Sequence, residues 1–111
     1  MNIYDTANKL AMEIKQSEEY QSYKKVKEQV NENIELKERI KNFEVARQEM
    51  QKLMLKGGRP VEEKAKEIQN LYAELIQDEV AKQYFDLEIK FSVMIADVNK
   101  IISEAIKDVI L

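Results

Sequence analysis

The sequence predicts an all-α protein, an antiparallel helical bundle of two long helices and two or three shorter ones. Three observations predict it. Both glycines and the only proline fall in one stretch, Gly57-Gly58-Arg59-Pro60, leaving more than fifty residues on either side without a backbone breaker. Those flanks are rich in Lys, Glu, Gln, Leu, Ile and Ala, which enter helices at little cost. Their apolar residues recur at steps of three and four. The chain of 111 residues is therefore expected to fold back on itself at a hairpin spanning Gly57 to Pro60, as a single domain covering residues 1–111.

The first helix is expected from about Ile3 to Lys15, with Ile3, Ala7, Leu10 and Ile14 along one face. Ser17 is placed to cap a second helix from Glu18 to about Asn31, whose first turn carries acids where the helix dipole favours them. Its stripe of Tyr20, Tyr23, Val26 or Lys27, and Val30 is the weakest of the set. The third helix, about Ile34 to Lys56, has the cleaner pattern: Leu36, Ile40, Phe43, Arg47, Met50 and Met54, with Ala46 and Leu53 alongside. Gly57 suits its left-handed terminating position, and Pro60 suits the start of the fourth helix, where a missing N–H costs nothing. That helix presents Val61, Ala65, Ile68, Tyr72 and Leu75. Asp78 is placed to cap a fifth helix from about Glu79 to Val109, the alternative being that the fourth and fifth join through a kink.

The last helix is the most informative. Leu87, Phe91, Met94, Val98, Ile101 and Ala105 form one seam, and Ile95, Ile102 and Val109 repeat every seven residues beside it, widened by Ile106. This apolar width exceeds what one antiparallel neighbour buries. A helix of that length runs for about 45 Å at 1.5 Å per residue, well past the ~13 Å radius of gyration of a compact domain of 100 residues. Both arguments predict a homo-oligomer, a two-fold dimer formed through the last helix and the Phe43 helix. The interface residues expected are Phe43, Met50, Phe91, Met94, Ile95, Val98 and Ile102.

Composition bounds the chemistry. Apolar residues make up 44% of the chain, too many for a disordered one, and charged residues 35%, too many for a membrane protein. The N-terminus Met1-Asn2-Ile3-Tyr4-Asp5 has neither the basic flank nor the apolar stretch of a secretory signal, and no cysteine is present, so a cytoplasmic location is expected. The net charge is −3 but unevenly spread: residues 15–56 carry ten positive and eight negative charges, residues 57–111 seven and eleven. Such asymmetry orients copies or partners and is too mild to indicate nucleic-acid binding by itself.

There is no histidine and no cysteine. The commonest general base, the best thiol nucleophile and the main zinc and iron–sulfur ligands are all missing, and the Glu-x-x-His di-metal site of helical bundles is excluded. No catalytic residue, cofactor or metal site is expected. Ser17, Ser22, Ser92, Ser103 and Thr6 lack a histidine to activate them, and capping or surface placement accounts for them. Acids such as Glu35, Glu38 and Glu63 have a base three or four residues on, the spacing of solvated intrahelical pairs. An enzyme built on carboxylates and tyrosines alone requires acids turned into a deep pocket. Gly57-Gly58 lacks both the spacing and the Lys-Ser or Lys-Thr of a phosphate loop. The methionines are read as core filling rather than as an adaptable groove.

One nucleic-acid patch is available on the basic second helix: Lys24, Lys25 and Lys27 interleaved with Tyr20 and Tyr23, types that hold phosphates and stack bases. Its rival, favoured for an acidic chain, is that the tyrosines pack against the bundle while the lysines stay in water.

Three stretches in order resemble the YlbF/YmcA family of small bacterial helical proteins, most closely its YheA-like branch. They are Ile3-Tyr4-Asp5-Thr6-Ala7 leading to Ser17-Glu18-Glu19-Tyr20, the Phe43 helix ending at a glycine-containing hairpin, and Val98 to Ile106, with its Asn99, Ile101, Ile102 and Ala105. The resemblance implies an all-helical, associating, regulatory protein. Characterised members serve as regulatory subunits in a complex linked to RNA processing, competence, sporulation and biofilm formation. Some hold iron–sulfur clusters through cysteines, a property that does not carry over to a chain without cysteine.

The function expected is therefore that of a non-enzymatic cytoplasmic regulatory protein acting through protein–protein contacts, as a homodimer and with other regulatory proteins. The alternative is an RNA-binding accessory factor using the basic second helix.

Overall fold

The computed structural model describes residues 2–57 and 62–110. Five helices follow one another: α1 (Ile3–Gln16), α2 (Glu18–Glu32), α3 (Ile34–Leu55), α4 (Glu62–Leu75) and α5 (Glu79–Ile110). No strand occurs among the described residues, and the all-α expectation holds.

Short polar side chains set the boundaries. The Asn2 carboxamide oxygen accepts from the Tyr4 N–H at 2.8 Å to open α1. A single residue, Ser17, separates α1 from α2 and serves both. Its Oγ accepts from the Tyr20 N–H at 3.2 Å and donates to the Ile14 carbonyl at 2.5 Å. Ser17 is extended, with φ −65° and ψ 153°, so the chain turns there without glycine.

Asn33 does the same between α2 and α3, its side-chain oxygen accepting from the Leu36 N–H at 3.1 Å. Gly57 has φ +78°, the left-handed conformation that ends α3 and that a side chain would strain. The remainder of the expected hairpin, Gly58 to Pro60, lies outside the described residues, as does Val61. Between α4 and α5 the Asp78 carboxylate accepts from the N–H groups of Val80 and Ala81 at 2.9 and 3.1 Å. The two helices are thus separate, with a capped break at 76–78.

The chain forms two compact units, one of residues 1–26 with 84–111 and the other of residues 27–83. In the second unit α3 packs on α4. Phe43 meets Tyr72 with ring centroids 5.7 Å apart, and Glu49 pairs with Lys64. Partners fall in sequence as partners rise, so the two helices are antiparallel. Val30, Leu36, Ile40, Phe43, Ala46, Leu75 and Ala81 are buried in this unit, Leu75 at 1% exposure. The cover does not extend along all of α3. Met50 is half-buried, while Leu53, Met54 and Leu55 are exposed.

In the first unit α2 and α5 run antiparallel through aromatic contacts. Phe91 lies 6.1 Å from the Tyr20 ring and 5.6 Å from that of Tyr23, which in turn sits 5.8 Å from Tyr84. Val26, Tyr84 and Phe85 are buried. The α2 stripe thus runs through Val26 rather than Lys27, which is exposed. No residue of α1 is buried.

Candidate interaction surface

A helix of 14 residues is marginal in water on its own, because nucleation is costly and each residue added gains one hydrogen bond. Such a helix in a protein normally holds its fold by burying an apolar face. α1 has that face, with Ile3, Ala7, Leu10 and Ile14 in register, yet only Leu10 and Ile14 reach half-burial. Ile3, Tyr4 and Met12 are left between 61% and 76% exposed.

α5 shows the same deficit at its other end. Its 32 residues span about 48 Å. Phe91, Met94, Ile95 and Val98 are half-buried, but every residue from 99 to 110 is exposed. Ile101, Ile102, Ile106, Val109 and Ile110 all stand in water on this segment. With Ile102 as reference, Ile95, Ile106 and Val109 lie within about 40° of it at 100° per residue, whereas Asp97, Lys100, Glu104 and Lys107 lie on the opposite side. The exposed face carries no charge of its own through these turns. An uncharged apolar stripe of this length is more than the singly scattered apolar residues that a protein surface ordinarily shows.

Alongside, the first unit holds an open groove of about 670 Å³. Leu87, Met94, Val98 and Ile101 of α5 contribute apolar wall. Glu18 and Glu19 from the first turn of α2, with Asp97 and Lys90 of α5, supply its charged lining.

The expected interface residues separate into two groups. Phe91, Met94, Ile95, Val98 and Ile102 share α5 in the first unit, half-buried save for Ile102 at 49% exposure. Phe43 and Met50 belong to α3 in the second. Phe43 is only 4% exposed, stacked on Tyr72, with the Arg47 guanidinium 5.4 Å from its ring centre. Its side chain has little surface left for a partner.

Of the possible nucleic-acid patch, Lys24, Lys25 and Lys27 are exposed, while Tyr20 and Tyr23 are half-buried against Phe91 and Tyr84. The rings are engaged in packing rather than displayed for stacking. Among the described residues no group of acids is placed to hold a metal ion, and no helix is long and apolar enough to cross a membrane.

Two features escaped the sequence reading. One is the acidic lining of the groove, since Glu18 and Glu19 read there only as helix-dipole partners. The other is the end of α3, where Leu53, Met54 and Leu55 are 40%, 54% and 86% exposed between Lys52 and Lys56. A signal existed for the second: three consecutive apolar residues fan over about 200° of a helix and cannot share one buried stripe.

A family described as control of competence regulator ComK, YlbF/YmcA, matches residues 3–107. A UPF0342 protein of Desulfitobacterium hafniense is 36% identical over 110 residues, 99% of this chain and 89% of the relative. One from Alkalihalophilus pseudofirmus is 31% identical over 108 residues, covering 97% and 92%. Another from Symbiobacterium thermophilum is 32% identical over 104 residues, covering 94% and 93%.

Proposed function

This chain belongs to the YlbF/YmcA family, whose description is one of regulatory control, and we propose that it regulates through protein–protein contact, assembling first with a second copy of itself. The observation that carries the proposal is the uncovered apolar surface of α1 and the last three turns of α5. Ile3, Tyr4, Ile101, Ile102, Val109 and Ile110 are 49% to 81% exposed.

Full burial of one such side chain contributes roughly 1.5–3 kcal/mol, so the part still exposed is worth about 1–2 kcal/mol each. Covering four on each of two copies contributes about 8–16 kcal/mol by this upper-bound counting. That matches the ~4–15 kcal/mol that association costs in lost translation and rotation. A second copy supplies the same charge-free stripe, and a two-fold pairing lets each copy cover the other.

The dimer contact is assigned to Met94, Ile95, Val98 and Ile102 on α5, with Phe91 beneath them. Phe43 is taken up by Tyr72 between α3 and α4, and Met50 is half-buried on the same helix. The reading is of a cytoplasmic protein without catalysis, in keeping with a sequence that has no histidine or cysteine. Its regulatory partners are proteins, met by the assembled dimer rather than by the single chain.

Cross-linked affinity purification from the native cell tests this, with wild type beside Ile102→Glu. Proteins recovered with the wild type and lost from the folded variant support the reading. An identical set with both, or none with either, overturns it.

A further inference from the structure

The groove of the first unit and the end of α3 are complementary in charge and in character. The groove offers apolar wall from Leu87, Met94 and Val98 beneath three carboxylates, Glu18, Glu19 and Asp97, with Lys90 as the one cation of its lining. The end of α3 offers Leu53, Met54 and Leu55 between Lys52 and Lys56. Leu55, at 86% exposure, is the most open large apolar side chain of that helix. Three adjacent exposed apolar residues are a liability that a soluble helix tolerates where they have a function. The nearby Glu49 carboxylate is taken up by Lys64, and its pKa is held below the usual value by that hydrogen bond, then by the charges of Lys64 and Lys52. Lys52 and Lys56 flank the apolar run, while Glu49 is engaged chiefly by Lys64.

We infer that the groove takes the Lys52–Lys56 segment of a second copy, the leucines and methionine entering against the apolar wall and the lysines meeting the carboxylates at its edge. A volume of about 670 Å³ lies within the ~300–1,000 Å³ range of pockets that bury a small ligand. It accommodates a few side chains, not a whole helix. Groove and segment are different surfaces, so the contact closes only if it is reciprocal, each copy's groove holding the other's segment. This rests on the self-association proposed above and assigns it a second contact beside the α5 stripe.

Charge reversal tests the pairing on the full chain. One variant carries Glu18→Lys and Asp97→Lys, the other Lys52→Glu and Lys56→Glu. All four residues are exposed, and far-UV circular dichroism checks that helicity is kept. Each variant alone sets like charges against like, and its self-association at low salt is expected to weaken by about tenfold or more. Mixed together, the reversed groove meets the reversed segment and the unaltered groove meets the unaltered segment, so both contacts pair opposite charges and a heterodimer of wild-type affinity is expected. Leu55→Ser, which alters no charge, is expected to weaken association at all salt concentrations.

A mixture that associates no better than its components, with the wild type self-associating, overturns the groove assignment and leaves self-association standing. A wild type that stays monomeric overturns both. Reversals that weaken binding of another protein but not self-association also overturn the assignment, because the occupant is then not a second copy.

Discussion

Replacing Ile102 by glutamate separates folding from association, because the two depend on different halves of that side chain. Ile102 is 49% exposed within its own chain. Full burial of an isoleucine contributes roughly 1.5–3 kcal/mol, so the half left for a partner is worth about 0.7–1.5 kcal/mol. A two-fold interface contains it twice, which doubles the loss to about 1.5–3 kcal/mol. A carboxylate there has no cation of α5 beside it, since Lys100 and Lys107 are on the far side of the helix. Desolvating it unpaired adds at least ~1–3 kcal/mol for each copy. The total exceeds about 3 kcal/mol, or more than a hundredfold in the dissociation constant.

The fold itself is expected to tolerate the change. Glutamate is at least as good a helix former as isoleucine, and exposed substitutions cost about 0.5 kcal/mol or less. Size-exclusion chromatography with light scattering, read beside far-UV circular dichroism, follows both quantities in one sample. Unchanged helicity with lost association is the predicted pair. Unchanged association to within about threefold refutes the placement of the interface on this face.

Three further predictions concern the fold that presents the surface. Leu75→Ala, at a site 1% exposed, is expected to cost about 2–5 kcal/mol in denaturant unfolding; a loss below about 1 kcal/mol contradicts a packed core around α4. Asp78→Ala removes the acceptor of two N–H groups at the start of α5 and is expected to cost about 0.5–2 kcal/mol, with Asp78→Asn recovering most of it.

Glu49 has its pKa lowered chiefly by the hydrogen bond from Lys64. A lowered carboxylate pKa stabilises the fold above the unfolded value and loses that contribution as pH falls through the folded one. The Glu49–Lys64 pair is therefore present at neutral pH and weakens in acid, below the ordinary carboxylate range. Lys64→Met is expected to raise the Glu49 titration midpoint, followed by carboxyl NMR shifts, back toward that range. An unmoved midpoint contradicts the pairing.

What the sequence made legible was what depends on neighbours along the chain. Ser17 and Asp78 are caps because an oxygen on a short side chain reaches N–H groups two or three residues on, and Gly57 ends α3 because its φ is positive. Asn33 uses the same chemistry toward the Leu36 N–H, a short polar side chain directly before an apolar-periodic run. Apolar spacing located the faces of α3 and α5 but not their cover. Phe43 and Ile102 both belong to apolar rows read from spacing, and one is buried against Tyr72 while the other is half exposed. Period fixes which side of a helix is apolar; only the position of another helix decides whether that side is core or contact. The same limit applied to Tyr20 and Tyr23, whose spacing suits base stacking and packing equally. Phe91 takes both rings.

Sedimentation equilibrium of the unmodified protein at micromolar concentration tests the central claim most directly. The uncovered stripe predicts a species of twice the 13.1 kDa chain mass, held into the low micromolar range. A single 13.1 kDa species that keeps its full helical signal would show that α1 and the end of α5 persist in water without a partner, and would contradict the account.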